Sequence, residues 1–183
     1  MIRTESSRTV YANRWVSLRE DAIRYPDGTA GTYSVVDKAD AVLVIAYEDD
    51  GFTLIEQFRY PIGGPSVEFP QGTWPDGRDA PQEELARTEL AEETGLRARH
   101  LEHIGHFKYA PGLTSQGCDV FLATGLTRGD QALEHTEQGL RRLWVARADF
   151  EARMARGAIL DGGTLAGYAL FQRYLSTHPR DIR

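Results

Sequence analysis

The segment Gly72-Thr73-Trp74-Pro75-Asp76-Gly77-Arg78-Asp79-Ala80-Pro81-Gln82-Glu83-Glu84-Leu85-Ala86-Arg87-Thr88-Glu89-Leu90-Ala91-Glu92-Glu93-Thr94-Gly95-Leu96 decides how this chain is read. Between positions 79 and 93 stand six carboxylates, Asp79, Glu83, Glu84, Glu89, Glu92 and Glu93, opposed only by Arg87. Leu85, Ala86 and Leu90 recur at the spacing of one helix face. Asp79 followed by Gln82 makes a capping-box pattern, and Gly95 stands where a helix C-cap glycine belongs. Glu89, Glu92 and Glu93 are related by i+3 and i+4, so a helix places them on one face. Three carboxylates on one face repel each other, and a divalent cation is their natural counter-charge. Hard oxygen ligands suit Mg²⁺ or Mn²⁺. The plainer alternative is a solvated acidic face.

Outward from this helix the pattern is mixed. Upstream, Trp15–Arg19, Asp21–Tyr25 and Thr32–Val36 read as strands, with turn chemistry at Pro26-Asp27-Gly28. Ala41–Tyr47 is nearly all apolar and suits a strand buried on both faces. Glu48-Asp49-Asp50-Gly51 turns the chain, and Phe52–Arg59 is the returning strand. Ser66–Phe69 is short and extended, ended by Pro70-Gln71-Gly72. Downstream, Leu101–Lys108, Cys118–Thr124 and Leu140–Val145 read as strands, and Ala110–Gly117 as a loop. Arg147–Arg156 reads as a helix ended by Gly157. Thr164–Ser176 is a second, with Leu165, Tyr168, Ala169, Phe171 and Leu175 as its apolar stripe. Strands and helices in mixed order give an α/β or α+β sandwich. Residues 1–38 form an N-terminal strand segment and 39–183 the main domain.

Composition narrows the function classes. With 183 residues the chain can bury a core without disulfides or structural metals. A hydrophobic fraction of 41% against 26% charged residues argues against disorder. No apolar run reaches the ~20 residues of a membrane helix, and Met1–Glu5 lacks the apolar stretch of a secretory signal. The single cysteine, Cys118, suits a reducing cytoplasm. A net charge of −6 argues against nucleic-acid polymers, whose binders carry excess Lys and Arg.

Glu89-Leu90-Ala91-Glu92-Glu93-Thr94-Gly95-Leu96 matches E-U-x-E-E-x-G-U, with U a bulky apolar residue, at every position. The chain in this respect resembles the Nudix family, whose box is G-x5-E-x7-R-E-U-x-E-E-x-G-U. Two features depart from the box. Thr88 stands where the box has arginine, and Arg87 lies about 100° away round the helix. The Gly72 loop is two residues longer, and the box's first glutamate is missing. Gln57-Phe58-Arg59-Tyr60 and Val67-Glu68-Phe69-Pro70-Gln71-Gly72 resemble the segment before the box in the ADP-ribose pyrophosphatase branch. The Pro111–Ser115 loop resembles that branch's P-G-x-x-x loop, although Gln116 replaces an acid often found just after it. Glu134-His135-Thr136-Glu137 resembles its acidic loop.

The resemblance implies an α/β/α sandwich around a mixed sheet, with N-terminal antiparallel strands, and a homodimer in which those strands help build the partner's site. It implies water attack on the diphosphate of ADP-ribose or a related nucleoside diphosphate sugar, with Mg²⁺ as cofactor. Glu89 and Glu93 are then the leading metal ligands, with Glu92 and the backbone carbonyl of Gln71 as further ones. Arg59 contacts phosphate, Glu68 shapes the site, and Glu137 is the general base, with Glu134 as rival; Glu92 and Glu93 complete the catalytic set. Two other readings stay open: a catalytically weak domain that binds nucleotide as a sensor, and a hydrolase of dinucleoside polyphosphates or CoA derivatives. Trp15 and Tyr25 are read as core residues before adenine-stacking ones. His100, His103, His106 and His135 lack the cysteine partners of a zinc site.

Overall fold

The computed structural model describes residues 1–74, 80–133 and 135–178. Three antiparallel strands, β1 (Arg3–Ala12), β2 (Ser17–Arg24) and β3 (Ala30–Asp37), form a sheet of their own in the order β1-β2-β3. β2 unites two stretches that the sequence pattern reads separately. β1 carries no apolar alternation, which is why periodicity passes it over, and all ten of its residues are exposed. Cross-strand charges hold it. Arg24 pairs with Glu5 at 2.7 Å, Arg8 with Glu20 at 2.7 Å, and Ser7 donates to Asp21. Trp15 and Tyr25, expected in the core, are 43% and 39% exposed. They flank β2 on a sheet that packs against too little to bury them.

A seven-stranded mixed sheet carries the rest, in the order β10-β5-β4-β9-β8, with β6 added to β5 and β7 to β4. Its strands are β4 (Ala41–Glu48), β5 (Gly51–Arg59), β6 (Gly64–Glu68), β7 (Gln71–Thr73), β8 (Leu96–Lys108), β9 (Gly117–Arg128) and β10 (Arg141–Ala146). β4 runs parallel to β9 and antiparallel to β5 and β7. Its residues Ala41–Ala46 are buried throughout, as a central strand covered on both faces requires. Asp49 and Asp50, both at positive φ, make the two-residue turn into β5. Pro70-Gln71-Gly72 does not simply end a strand: residues 71–73 pair with β4 as β7.

Helix α1 (Gln82–Thr94) covers one face, burying Leu85, Ala86 and Leu90 against Val42, Val44, Ala46 and Phe121. Its start differs from the capping-box expectation. Pro81 is the N-cap, so Gln82 is the first helical residue and not the third. Ala80 precedes a proline and is thereby biased away from helical ψ. Asp79 lies outside the described residues. Gly95 adopts φ 69° and donates to Ala91 O at 2.8 Å, the expected left-handed C-cap.

Helices α2 (Arg147–Ala155) and α3 (Gly162–Thr177) cover the other face. The buried side of α3 runs through Thr164, Gly167, Tyr168, Phe171 and Tyr174; Leu165 and Ala169, read as part of its stripe, are exposed. The helix begins two residues earlier than expected, capped by Asp161, and is held in place by its polar first turn. Thr164 Oγ1 accepts from Phe69 N at 3.0 Å. Phe52 is the centre of this layer, meeting Phe69, Phe150, Tyr168 and Phe171 at centroid distances of 5.2–5.9 Å in edge-on geometry. Phe52→Ala is expected to destabilise the chain by about 3–5 kcal/mol in urea unfolding, the usual cost of deleting a buried ring.

Candidate active site

Three carboxylates converge at the C-terminal half of α1. Ligand oxygens of Glu89, Glu93 and Glu137 all lie within 4.8 Å of one another. Among the described residues this is the one group of acids, histidines or cysteines so placed. Glu89 and Glu93 are one turn apart on α1. Glu137 comes from the 3-10 turn His135–Glu137, 44 positions further along.

The approach of that turn is fixed by the end of the helix. The last carbonyls of α1 have no partner inside it. Ala132 N donates to Glu92 O at 3.0 Å, Gln131 Nε2 to Glu93 O at 2.5 Å, and Arg142 Nη1 to Thr94 O at 2.5 Å. The chain leading to Glu137 is thus tied to the helix that carries the other two acids. Glu92 is half-buried and is not one of the converging three. Glu134 lies outside the described residues.

Glu93 is 2% exposed, and its carboxylate accepts from Gln71 N at 3.0 Å. Burial, then the charges of Glu89 and Glu137, push its pKa well above the ordinary carboxylate value, against the bond from Gln71 and the charge of Arg59. A carboxylate so placed calls for a cation. Oxygen donors from three separate carboxylates suit a hard divalent ion. Gly72 makes the packing possible: a Cβ there would fall 2.1–2.4 Å from the Glu89 carboxylate. The backbone of β7 therefore lies directly against two of the three acids.

Beside the acids opens a cavity of about 1030 Å³ lined by Trp15, Lys38, Arg59, Gln71, Gly72, Tyr109 and Asp161 among others. A second cavity of about 720 Å³ shares Trp15, Lys38 and Thr73 with it. Arg59 meets Glu68 through a fork, Nε to Oε1 at 2.8 Å and Nη2 to Oε2 at 2.5 Å. Burial would raise the pKa of Glu68, but the bonds and charge of Arg59, with Ser66 and Gln71, outweigh it and hold the group below its ordinary value. Sequence reasoning missed the site roles of Tyr109, Asp161 and the side chain of Gln71. Gln71 stands at a variable position of its motif segment, Asp161 at the start of the closing helix, and no period marks Tyr109. Burial holds the Tyr109 phenol and the Cys118 thiol protonated, the latter pushed up to about 12. Among the histidines, His103 and His106 on β8 share the Asp119 carboxylate of β9 at 2.7 and 3.2 Å. Thr88 donates to Glu84 O at 3.0 Å, and Arg87 binds Glu83 and Ala98 O.

Residues 37–161 match the family model of the NUDIX domain. The chain belongs to the Nudix family. Residues 2–36 match the nucleoside diphosphate sugar hydrolase N-terminal domain. Over 184 aligned positions the Nudix chain is 32% identical to an ADP-ribose pyrophosphatase of Mycobacterium tuberculosis (strain ATCC 25618 / H37Rv), covering 97% of this chain and 88% of that one. It is 32% identical to an ADP-ribose pyrophosphatase of Bacillus subtilis (strain 168), covering 68% and 67%. With a mouse ADP-sugar pyrophosphatase the figures are 31% identity, 69% and 62%. The fold matches a crystal structure of an ADP compounds hydrolase with a TM-score of 0.86 over 98% of this chain and 96% of that one, at 18% identity.

Two outcomes follow from the geometry. Gly72→Ala is expected to displace the Glu89 side chain, which can swing, without unfolding the chain: activity falls at least about tenfold while Tm moves little, by paired kinetics and thermal melts. In metal-free buffer Glu93→Gln is expected to stabilise. The folded pKa of Glu93 lies above its unfolded value, so its contribution is full at low pH and is lost as pH rises through the raised value. At pH 7.5 with chelator the glutamine variant melts higher, by about 2–4 °C per kcal/mol relieved, and the gain disappears near pH 4.

Proposed function

We propose that this Nudix hydrolase cleaves the diphosphate of ADP-ribose or a related nucleoside diphosphate sugar, giving a nucleoside monophosphate and a sugar phosphate. The observation that carries the reading is the convergence of Glu89, Glu93 and Glu137 beside a cavity wall that also presents Arg59. The names of the relatives support this substrate class, as does the N-terminal match.

Glu89 and Glu93 hold the divalent cation, Mg²⁺ by the hardness of the donor set, with Glu92 and the Gln71 carbonyl as further candidates. When bound, the ion neutralises charge on the diphosphate and lowers the pKa of water. Arg59 is held by Glu68 through Nε and Nη2, and its remaining N–H groups, which meet no other hydrogen-bond partner among the described residues, grip the diphosphate. Glu137, on the loop, accepts the proton as a water oxygen attacks phosphorus and the bridging P–O bond breaks. Trp15, exposed at the junction of the two cavities, offers an aromatic face to the base. A purely nucleotide-binding sensor has no need of three convergent carboxylates.

The chain acts as a homodimer in this reading. A three-stranded sheet with an exposed first strand, together with Val10 and Tyr11 at 51% and 57% exposure, gains stability by covering that surface. No helix among the described residues is long and apolar enough to cross a membrane. The buried free thiol of Cys118 is in keeping with a reducing cytoplasm.

Incubation with ADP-ribose and Mg²⁺ is expected to yield AMP and ribose 5-phosphate; no turnover across a panel of nucleotide sugars would refute the reading. Glu93→Gln is expected to lower kcat by at least about 10²-fold. Light scattering is expected to give twice the chain mass of 20.5 kDa; a monomer at micromolar concentration counts against the dimer.

A further inference from the structure

The side chain of Gln71 has a place in the site that no motif describes. Its Oε1 accepts from Tyr109 OH at 3.0 Å. Its Nε2 donates to Glu68 Oε2 at 2.8 Å and to Asp161 Oδ2 at 3.2 Å. Both N–H groups and the carbonyl of the carboxamide are therefore engaged, and only one orientation of the amide serves them: a phenol donor on one side, two carboxylates on the other. Each partner is itself anchored. Glu68 is 1% exposed and forks with Arg59. Asp161 caps α3 through Thr164 N at 2.7 Å. The network bridges β6, β7, the end of β8 and the start of α3. Buried Gly163 leaves room for it, since a Cβ there would lie 3.2 Å from Asp161 Oδ2, Gln71 Oε1 and Tyr109 Cε1 alike.

The arrangement solves an electrostatic problem. Glu68, Glu93 and Asp161 all act on Arg59, so Glu68 and Asp161, on either side of the Gln71 amide, are two of three carboxylates that compete for one guanidinium. The Gln71 amide places an N–H on each of these two and so keeps Glu68 committed to the Arg59 fork. The same residue uses its backbone N–H to hold Glu93. One residue thereby joins the acid side of the site to the diphosphate-gripping side.

We propose that the Gln71 carboxamide is a positioning residue for substrate binding, which acts through Glu68 to aim the Arg59 guanidinium at the diphosphate, with Tyr109 fixing the orientation of the amide. The inference rests on the function proposed above. Because the amide supports a binding contact, its loss weakens the substrate complex more than it slows the reacting step. A merely structural residue would instead lower the folded fraction and leave KM unchanged.

The test uses the full chain with Gln71→Met, Tyr109→Phe and the double variant. Two measurements are made: affinity for ADP-ribose by calorimetry with metal chelated, and steady-state hydrolysis with Mg²⁺. Gln71→Met is expected to raise both Kd and KM about tenfold, with kcat within about threefold of the parent. Tyr109→Phe leaves the two carboxylate bonds in place, so its expected loss is smaller, about threefold in the same quantities. In the Gln71→Met background Tyr109→Phe is expected to add nothing, because its partner is gone. Unchanged Kd and KM in Gln71→Met, or full additivity of the two changes, would overturn the inference. Should Gln71→Met not fold, Tyr109→Phe decides alone: a parental Kd and KM overturn it. A parent that hydrolyses ADP-ribose while Gln71→Met binds normally sinks this inference only. A parent that binds ADP-ribose in a Gln71-dependent way without cleaving it sinks the proposed hydrolysis only. A parent that neither binds nor cleaves sinks both.

Discussion

The carboxylate of Glu93 sits in the protein interior beside two other carboxylates, and the site is arranged around the cost of that placement. An isolated buried carboxylate loses hydration that a protein rarely restores in full. Here the local compensation is a backbone N–H from Gln71 and the charge of Arg59, and burial with the neighbouring acids outweighs both. The metal-free fold is therefore left with a deficit of positive charge at one defined point. A cation placed there meets ligands already in position, because α1 is pinned to the sheet by Leu85, Ala86 and Leu90 and cannot turn its acidic face away. Function and instability arise from the same feature, a common trade in active sites.

The second constraint is how closely β7 approaches the helix. β7 is only three residues long, yet it is held by β4 on one side and reaches the acids of α1 on the other. Gly72 permits the contact with Glu89, and the N–H of Gln71 makes the one with Glu93. The side chain of Gln71 then points into the cavity and ties β7 to Glu68, Tyr109 and Asp161. Placement of the acids and of the Arg59–Glu68 fork is thus not independent: a shift of β7 would disturb both. Short strands serve this purpose well, since their position is imposed by neighbours rather than by their own length.

The two sheets have different duties. The seven-stranded sheet buries its central strand fully and is stable through apolar packing on both faces. The N-terminal sheet relies on exposed ion pairs, each worth little on its own. It touches the rest of the chain through Val36, whose N–H donates to Leu113 O, and through Tyr33, whose hydroxyl donates to Gly112 O. This sparse apolar cover agrees with Trp15 facing open cavities instead of a core.

The periodicity of one helix was enough to place Glu89 and Glu93 on a common face and to end that face at Gly95, because i+4 spacing and a left-handed cap are local properties of the backbone. The unbroken apolar run of β4 likewise announced a strand covered on both sides. Helical geometry put Glu92 beside Glu89, and the family resemblance named Glu137 on the loop. What the residues in order could not tell was how near that loop acid comes: the folded chain brings Glu137 within 4.8 Å of Glu89 and Glu93, because the carbonyls at the end of α1 bind the loop that leads to it. The network around Gln71 was equally invisible, since its partners other than the nearby Glu68 lie 22, 38 and 90 positions away. Such contacts depend on how strands, helices and loops pack together in three dimensions. Local spacing determined the helix face that can seat a cation, and tertiary packing decided which side chains complete and aim the site.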